Sequence, residues 1–198
     1  DFPIVANPAE LPEKPDVIID YSNPASLDML LEYCLSTGTP AVFATTGYND
    51  EQISRIKAAG SQIPVFFTFN MSLGINLLVQ LAKKAADILG DHFDIEIVEK
   101  HHNQKIDAPS GTAIMLANAI NETLDNSRHY VYDRHSQRKK RDKNEIGMHA
   151  IRGGTIVGEH DVIFAGHDEV ITLSHSASSK SVFAEGSINA AVYLVGKE

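Results

Sequence analysis

The sequence predicts an α/β fold: a parallel sheet with returning helices, followed by an α+β part with a mixed sheet. Three observations predict it. Residues 16–69 alternate short apolar runs with helical segments. The texture changes near Ser72. Residues 146–174 carry short strand-like runs parted by turn signals at Gly153-Gly154 and Gly166-His167-Asp168. A chain of 198 residues has room for one large domain or two small ones, and it can bury a core without disulfide or structural metal.

Pro3, Pro8, Pro12 and Pro15 make residues 1–15 an extended lead-in. The apolar run 16–21 is a buried strand. Asn23 before Pro24 starts a helix that Gly38 stops near Thr37. Residues 40–45 are the next strand. Asn49 caps a helix through Ile53, Ile56 and Ala59, stopped by Gly60. Residues 63–69 are a third strand. Helices that return the chain between apolar strands imply a parallel sheet, whose ligands bind beyond the carboxyl ends of its strands. Ala44-Thr45-Thr46-Gly47 and Thr68-Phe69-Asn70-Met71-Ser72 sit at two such ends. They are either ligand-facing backbone or only loops and caps.

Beyond Ser72, residues 75–89 read as an amphipathic helix stopped by Gly90. Phe93, Ile95 and Ile97 alternate with Asp94 and Glu96, the pattern of a half-buried strand. A loop over 101–109 leads into a helix over 112–124. The short strands of 146–174 pair antiparallel, and 182–195 is a final helix.

The net charge of −9 excludes nucleic acid as a main partner. The basic stretch 128–143 (Arg134, Arg138, Lys139, Lys140, Arg141, Lys143) is read as a solvated, flexible loop. No apolar run approaches the ~20 residues of a membrane span, so no membrane partner is expected. Cys34 is the one cysteine, on an apolar helix face, so no internal disulfide forms and a reducing, cytoplasmic compartment is expected.

The densest polar constellation runs from Glu99 to Ala113, between a strand end and a helix start. Ser110-Gly111-Thr112 opens a helix, where N–H groups and the helix dipole favour a carboxylate or phosphate. Gly111 lets a ligand approach, and Ser110 and Thr112 add hydroxyls; the alternative is that Ser110 is an ordinary cap. His101, His102 and Lys105 lie within five residues of one another and point to a small, multiply anionic substrate. Adjacent residues of an extended chain face opposite ways, so His101 and His102 do different jobs. Histidine donates protons near neutral pH, and lysine stabilises developing negative charge. Zinc is disfavoured, because no H-E-x-x-H helix or cysteine pair completes a ligand set, and no metal is expected. Ser110 lies outside any G-x-S-x-G elbow, which disfavours a serine hydrolase. The other histidines (His92, His129, His135, His149, His160, His167, His175) are read as mostly surface or structural.

Residues 99–113, Glu-Lys-His-His-Asn-Gln-Lys-Ile-Asp-Ala-Pro-Ser-Gly-Thr-Ala, resemble the E-x-H-H-x-x-K-x-D-A-P-S-G-T-A motif of the dihydrodipicolinate reductases. The similarity extends through residues 44–47, 70–76, 151–154, 157–160 and 178–180. It implies a partial Rossmann-type parallel sheet plus an α+β substrate domain. It also implies NADH- or NADPH-dependent reduction of a cyclic dicarboxylate imine in the diaminopimelate route of lysine biosynthesis, by a cytoplasmic homotetramer. The resemblance puts the proton donor on His101 and the assisting lysine on Lys105. It puts substrate contacts on His102, Ser110, Gly111 and Thr112. Cofactor contacts fall on Ala44, Thr45, Thr46, Thr68, Phe69, Asn70 and Met71. Residues 1–71 and 180–198 would form the partial dinucleotide-binding domain, and 72–179 the substrate-binding and oligomerisation domain.

Two departures are small: Ala44 stands for the family's glycine and Thr68 for its alanine. Ala44 would not suit a backbone with positive φ. The family's glycine-rich G-x-x-G-x-M-G turn and ribose-reading residue are not found, and the chain starts at Asp1 without methionine. The expectation is a family member cut at both ends, short by about 40–50 residues at the front. Two alternatives follow. One is a fragment that binds a dicarboxylate but lacks cofactor binding and activity. The other is another two-domain oxidoreductase, such as a semialdehyde dehydrogenase, whose chemistry needs a nucleophilic cysteine that Cys34, in its apolar helix, does not suit.

Overall fold

The computed structural model describes residues 3–197. Asp1, Phe2 and Glu198, the outermost positions of the expected dinucleotide-binding part, lie outside the described residues. The chain divides into two compact units, 1–71 with 183–198, and 72–182.

In the first unit, β1 (Ile18–Asp20), β2 (Ala41–Phe43) and β3 (Val65–Phe67) form a parallel sheet in that order. The strands are shorter than their apolar runs suggest, because only three residues of each find ladder partners. Helix α1 (Leu27–Thr37) follows a 3-10 turn capped by Asn23 and ends on Gly38 at φ 63°. That left-handed conformation is the reason for glycine there. Helix α2 (Asp50–Ala59) starts with a capping box in which Asn49 and Gln52 each accept the other's backbone N–H. Leu27, Leu31, Cys34 and Ile56 pack against Ala41 and Phe43 on one face of the sheet. Val42 and Ala44, one residue out of phase, pack with Met71 and with Ala190, Ala191 and Leu194 of α5 (Ser181–Leu194). Strand β2 is therefore covered on both sides, which explains its uninterrupted apolar run. A Cβ at Gly186 would overlap the Met71 carbonyl, so glycine is what allows α5 to sit this close.

The second unit is a five-stranded sheet in the order β5-β6-β4-β7-β8, with β4 Asp94–His101, β5 His129–Val131, β6 Glu145–Arg152, β7 Gly158–Ala165 and β8 Val170–Ala177. Helices α3 (Leu73–Leu89) and α4 (Gly111–Thr123) supply its core. Ile75, Leu78, Ala82 and Ala86 of α3, and Ala113, Leu116, Ala117 and Ile120 of α4, meet Ile95, Ile97, Ile146, Met148, Val162 and Phe164. The helix positions recur every three or four residues and the strand positions every two, as their periods require.

Two expectations need correction. Antiparallel pairing holds for β4–β7 and β7–β8, but β6 runs parallel to β4. Helix α4 returns the chain so that β5 runs the same way as β4, and the connection over 132–144 returns it once more before β6. The basic stretch 128–143 is not simply a solvated, flexible loop. Its start is β5, paired with β6. Arg134 binds Glu96 and Glu145 at 2.6 and 2.8 Å, and Arg141 binds Asp94 and Glu96, both at 2.9 Å. These arginines neutralise acidic groups on β4 and β6 that are remote in sequence.

Among the described residues, no helix is long and apolar enough to cross a membrane. Cys34 is fully buried, and burial pushes its thiol up to about 11.

Replacing Phe164, which is fully buried, with alanine should cost about 3–5 kcal/mol of stability in urea unfolding. Hydrogen bonding to Arg134 draws the Glu145 carboxyl down to about 2. A carboxyl depressed in the folded state stabilises it above its ordinary pKa, and that contribution fades as pH falls toward the folded value. Thermal melts of Glu145→Gln should therefore lose less Tm between about pH 5 and pH 2 than the unaltered chain.

Candidate functional site

The alternation that buries Ile95 and Ile97 continues to the end of β4 and carries Glu99 and His101 onto the same inward face. Glu99 is fully buried, and donors surround its carboxylate. Arg152 grips it bidentately, Nη1 to Oε2 and Nη2 to Oε1, both at 2.7 Å. The Ser110 backbone N–H donates to Oε1 at 3.0 Å, and His101 Nδ1 lies 2.6 Å from Oε2. Burial pushes the Glu99 carboxyl up, but Arg152, His101 and the Ser110 N–H outweigh it, so the group stays below its usual range and ionised. Burial is also the main influence on His101 and holds it below the ordinary histidine value, against the opposing pull of Glu99.

After His101 the chain makes a tight loop pinned to the β6–β7 connection. The Gly153 N–H donates to His101 O at 2.9 Å, and the Asn103 N–H to Gly154 O at 3.2 Å. His102 is half-buried. Lys105 is also half-buried, with Nζ 2.8 Å from Asp107 Oδ1. Ser110 closes the loop as the cap of α4, its Oγ accepting the Ala113 N–H at 3.1 Å. Gly111 is exposed at the first helical position, and a Cβ built there would meet nothing within 4 Å. Thr112, half-buried, follows in the same turn. The structure thus gathers His101, Ser110, Gly111 and Thr112 around the strand end and helix start, with His102 and Lys105 on the loop that joins them. A helix start with open space over its first residue, next to cationic side chains, can take a carboxylate.

Three residues here were given no role from sequence alone. Glu99 opens the 99–113 motif and carries no role in the sequence reading. Arg152 is 53 residues away in sequence, and strand pairing of His101 with Arg152 brings it in. His160 was grouped with the scattered histidines; it is in fact buried at this site. Its Nε2 is 3.0 Å from Ser110 Oγ, and its ring lies edge-on to His101 with centroids 5.2 Å apart. Burial, then the neighbouring His101, push its pKa down to about 4, so it is neutral. The inward phase of Val162 and Phe164, carried back two residues, is the signal that could have found it.

The segments expected to contact a cofactor lie in the first unit, at the carboxyl ends of β2 and β3. Ala44 and Thr45 are buried, and Thr46 is exposed. The Ala44 N–H donates to Asp20 O at 2.9 Å. Asp20, itself buried, accepts from the Ser22 N–H and from Tyr48 Oη at 2.9 and 2.7 Å, and so ties the β1 and β2 ends together. Thr68 Oγ1 donates to Asn70 O at 3.1 Å. Phe69 is half exposed and packs edge-on against Phe67. Met71 is buried under α5, so its side chain serves packing. Among the described residues only Asp125, Asn126 and Asp168 combine a side chain with positive φ, so alanine at position 44 carries no backbone strain. Thr46, exposed just past β2, and the strand-end backbone can donate to the amide and hydroxyls of a nicotinamide nucleotide, whereas the buried Thr45 Oγ1 donates to Asp20 O at 3.5 Å.

Among the described residues one trio, His129, Asp142 and Glu145, has ligand atoms within 4.8 Å of one another. Lys139 Nζ lies 3.6 and 3.5 Å from its two carboxylates and already supplies positive charge there.

The family described as "Dihydrodipicolinate reductase, N-terminus" matches residues 1–71, and "Dihydrodipicolinate reductase, C-terminus" matches 74–198. A 4-hydroxy-tetrahydrodipicolinate reductase of Caldanaerobacter subterraneus subsp. tengcongensis is 52% identical over 198 residues, all of this chain and 78% of the relative. One of Clostridium novyi is 48% identical over 196 residues, 99% of this chain and 77% of the relative. The solved dipicolinate-bound dihydrodipicolinate reductase of Paenisporosarcina sp. TG-14 superposes with a TM-score of 0.73 at 27% identity, covering 92% of this chain and 69% of that one. In both sequence and fold, the chain belongs to the dihydrodipicolinate reductase family.

Proposed function

We propose that this chain reduces 4-hydroxy-tetrahydrodipicolinate to tetrahydrodipicolinate with NADH or NADPH, in the diaminopimelate route of lysine biosynthesis. The observation that carries the reading is the α4 start. Ser110, Gly111 and Thr112 offer a carboxylate seat with open space over Gly111, and His101 is wired to the same seat through Glu99. Relatives about half identical to this chain bear the name of this activity, and a solved relative binds dipicolinate, a planar ring with two carboxylates.

In this reading, one substrate carboxylate rests on Ser110, Gly111 and Thr112. His102 holds the substrate's other end. Lys105 exchanges its Asp107 partner for the substrate and balances charge at the ring nitrogen. Ala44, Thr45, Thr46, Thr68, Phe69, Asn70 and Met71 form the segments that hold the cofactor. The chemistry that bound NADH or NADPH supplies is one hydride. The 4-hydroxyl leaves as water together with a hydrogen from the adjacent ring carbon, and His101 returns one proton from Nε2 to that carbon to match the hydride. Residues 1–71 and 180–198 are assigned to cofactor binding, and 72–179 to substrate binding and assembly. We place the protein in the cytoplasm as a homotetramer. The face of the five-stranded sheet away from α3 and α4 presents Val98, Ile151 and Ile163 for such assembly.

Alanine at His101 or at Lys105 should lower kcat by about 10²-fold; near-normal turnover in both variants would sink the assignment. Titration calorimetry should show that NADH and dipicolinate each bind the unaltered chain. Dipicolinate binding alone would identify a dicarboxylate-binding fragment instead. Light scattering of the purified chain should return four copies per particle, and a monomer would contradict the assembly.

A further inference from the structure

We infer that Glu99 is the positioning residue for His101, holding the imidazole with a proton on Nδ1 and its Nε2 over Gly158. The inference rests on the reading of His101 as proton donor, and it gives a role to a residue which that reading leaves unused.

An ionised carboxylate only accepts hydrogen bonds, so the 2.6 Å contact requires His101 to donate from Nδ1. The carboxylate cannot swing away. Both oxygens are held by Arg152, and Oε1 also takes the Ser110 N–H. Arg152 is anchored in turn: Nη1 donates to Ile151 O and Nη2 to Asp107 O, both at 2.8 Å. The other ring nitrogen is therefore the one free to work. Nε2 lies over Gly158, where a Cβ would come within 3.2 Å. Glycine keeps that edge of the ring clear. When a proton leaves Nε2, the N–H electron pair stays on the ring, and the product is the neutral Nδ1–H form that Glu99 already binds. The charge around the ring points the same way. Arg152 from β6 and Lys105 from the loop disfavour the imidazolium, His160 from β7 stands edge-on and neutral, and Lys105 is shared with Asp107. On β4 itself Lys100 is engaged with Glu159 and Asp161 on the other face. Glu99 supplies the negative charge in contact with the ring.

One carboxylate thus serves two parts of the site. Oε2 sets the acid, and Oε1 sets the backbone of the residue that opens the carboxylate seat. Relays of this kind, in which a buried acid fixes the tautomer of a working histidine, act through orientation rather than through contact with substrate.

The test is 15N NMR of the His101 ring in the full chain at about pH 8, where a histidine is neutral. The proton is expected on Nδ1; a proton on Nε2 in the unaltered chain overturns the inference without any variant. In the double variant E99Q/R152M no charge is left unpaired. The introduced amide oxygen stays on the Ser110 N–H, and its N–H₂ faces Nδ1. The ring proton should then move to Nε2, and kcat should fall at least about tenfold, with KM and the dipicolinate Kd within about threefold. An unchanged tautomer, or unchanged kcat, overturns the inference. Failure of the unaltered chain to bind dipicolinate or to turn over would overturn the proposed function instead, and the tautomer, read without substrate, still decides the role of Glu99.

Discussion

The buried carboxylate of Glu99 is the contact on which the second unit's site depends. It joins two strands and a helix at one point. Glu99 and His101 come from β4, Arg152 from the end of β6, and the Ser110 N–H from the cap of α4. A lone carboxylate in this position would be unstable in its charged form. Two guanidinium bonds, a backbone N–H and an imidazole make it ionised and immobile. With it fixed, the loop of residues 101–110 closes at both ends on the same group, which holds the cap of α4 and His101 together.

The chemistry is concentrated where regular structure ends. The proposed carboxylate seat is the first turn of α4, where a Cβ on Gly111 would meet nothing within 4 Å. The first unit follows the same principle in a different way: the segments proposed for the cofactor lie just past β2 and β3, braced by the buried Asp20. In both units the strands end in positions the core no longer fills, and the side chains there are free to be polar.

Much of this was legible in the chain. The helices are found where Asn23, Asn49 and Ser110 start them and where Gly38, Gly60 and Gly90 stop them, because caps and stops are local chemistry. The alternation of Phe93, Ile95 and Ile97 marked β4, and the same alternation continued gives the inward direction of Glu99 and His101. The parallel run of β6 beside β4 was not legible, since turn signals at 153–154 describe a chain reversal but not which strand lies between. Arg134 and Arg141 read as solvated because their acidic partners, Glu96 and Asp94, are about forty residues away in sequence.

By itself the sequence determined the elements other than β5, the two-part organisation of strands and helices, and the dense polar segment 99–112. It did so through local effects: periodicity, caps, and the density of His101, His102 and Lys105 beside a helix start. Only the tertiary structure decided which distant groups complete the site. Strand pairing set Arg152 opposite His101 and His160 opposite Glu99, and the partners it brought keep the buried Glu99 ionised and clamped. Register and burial are properties of the assembled sheet, and no stretch of chain carries them alone.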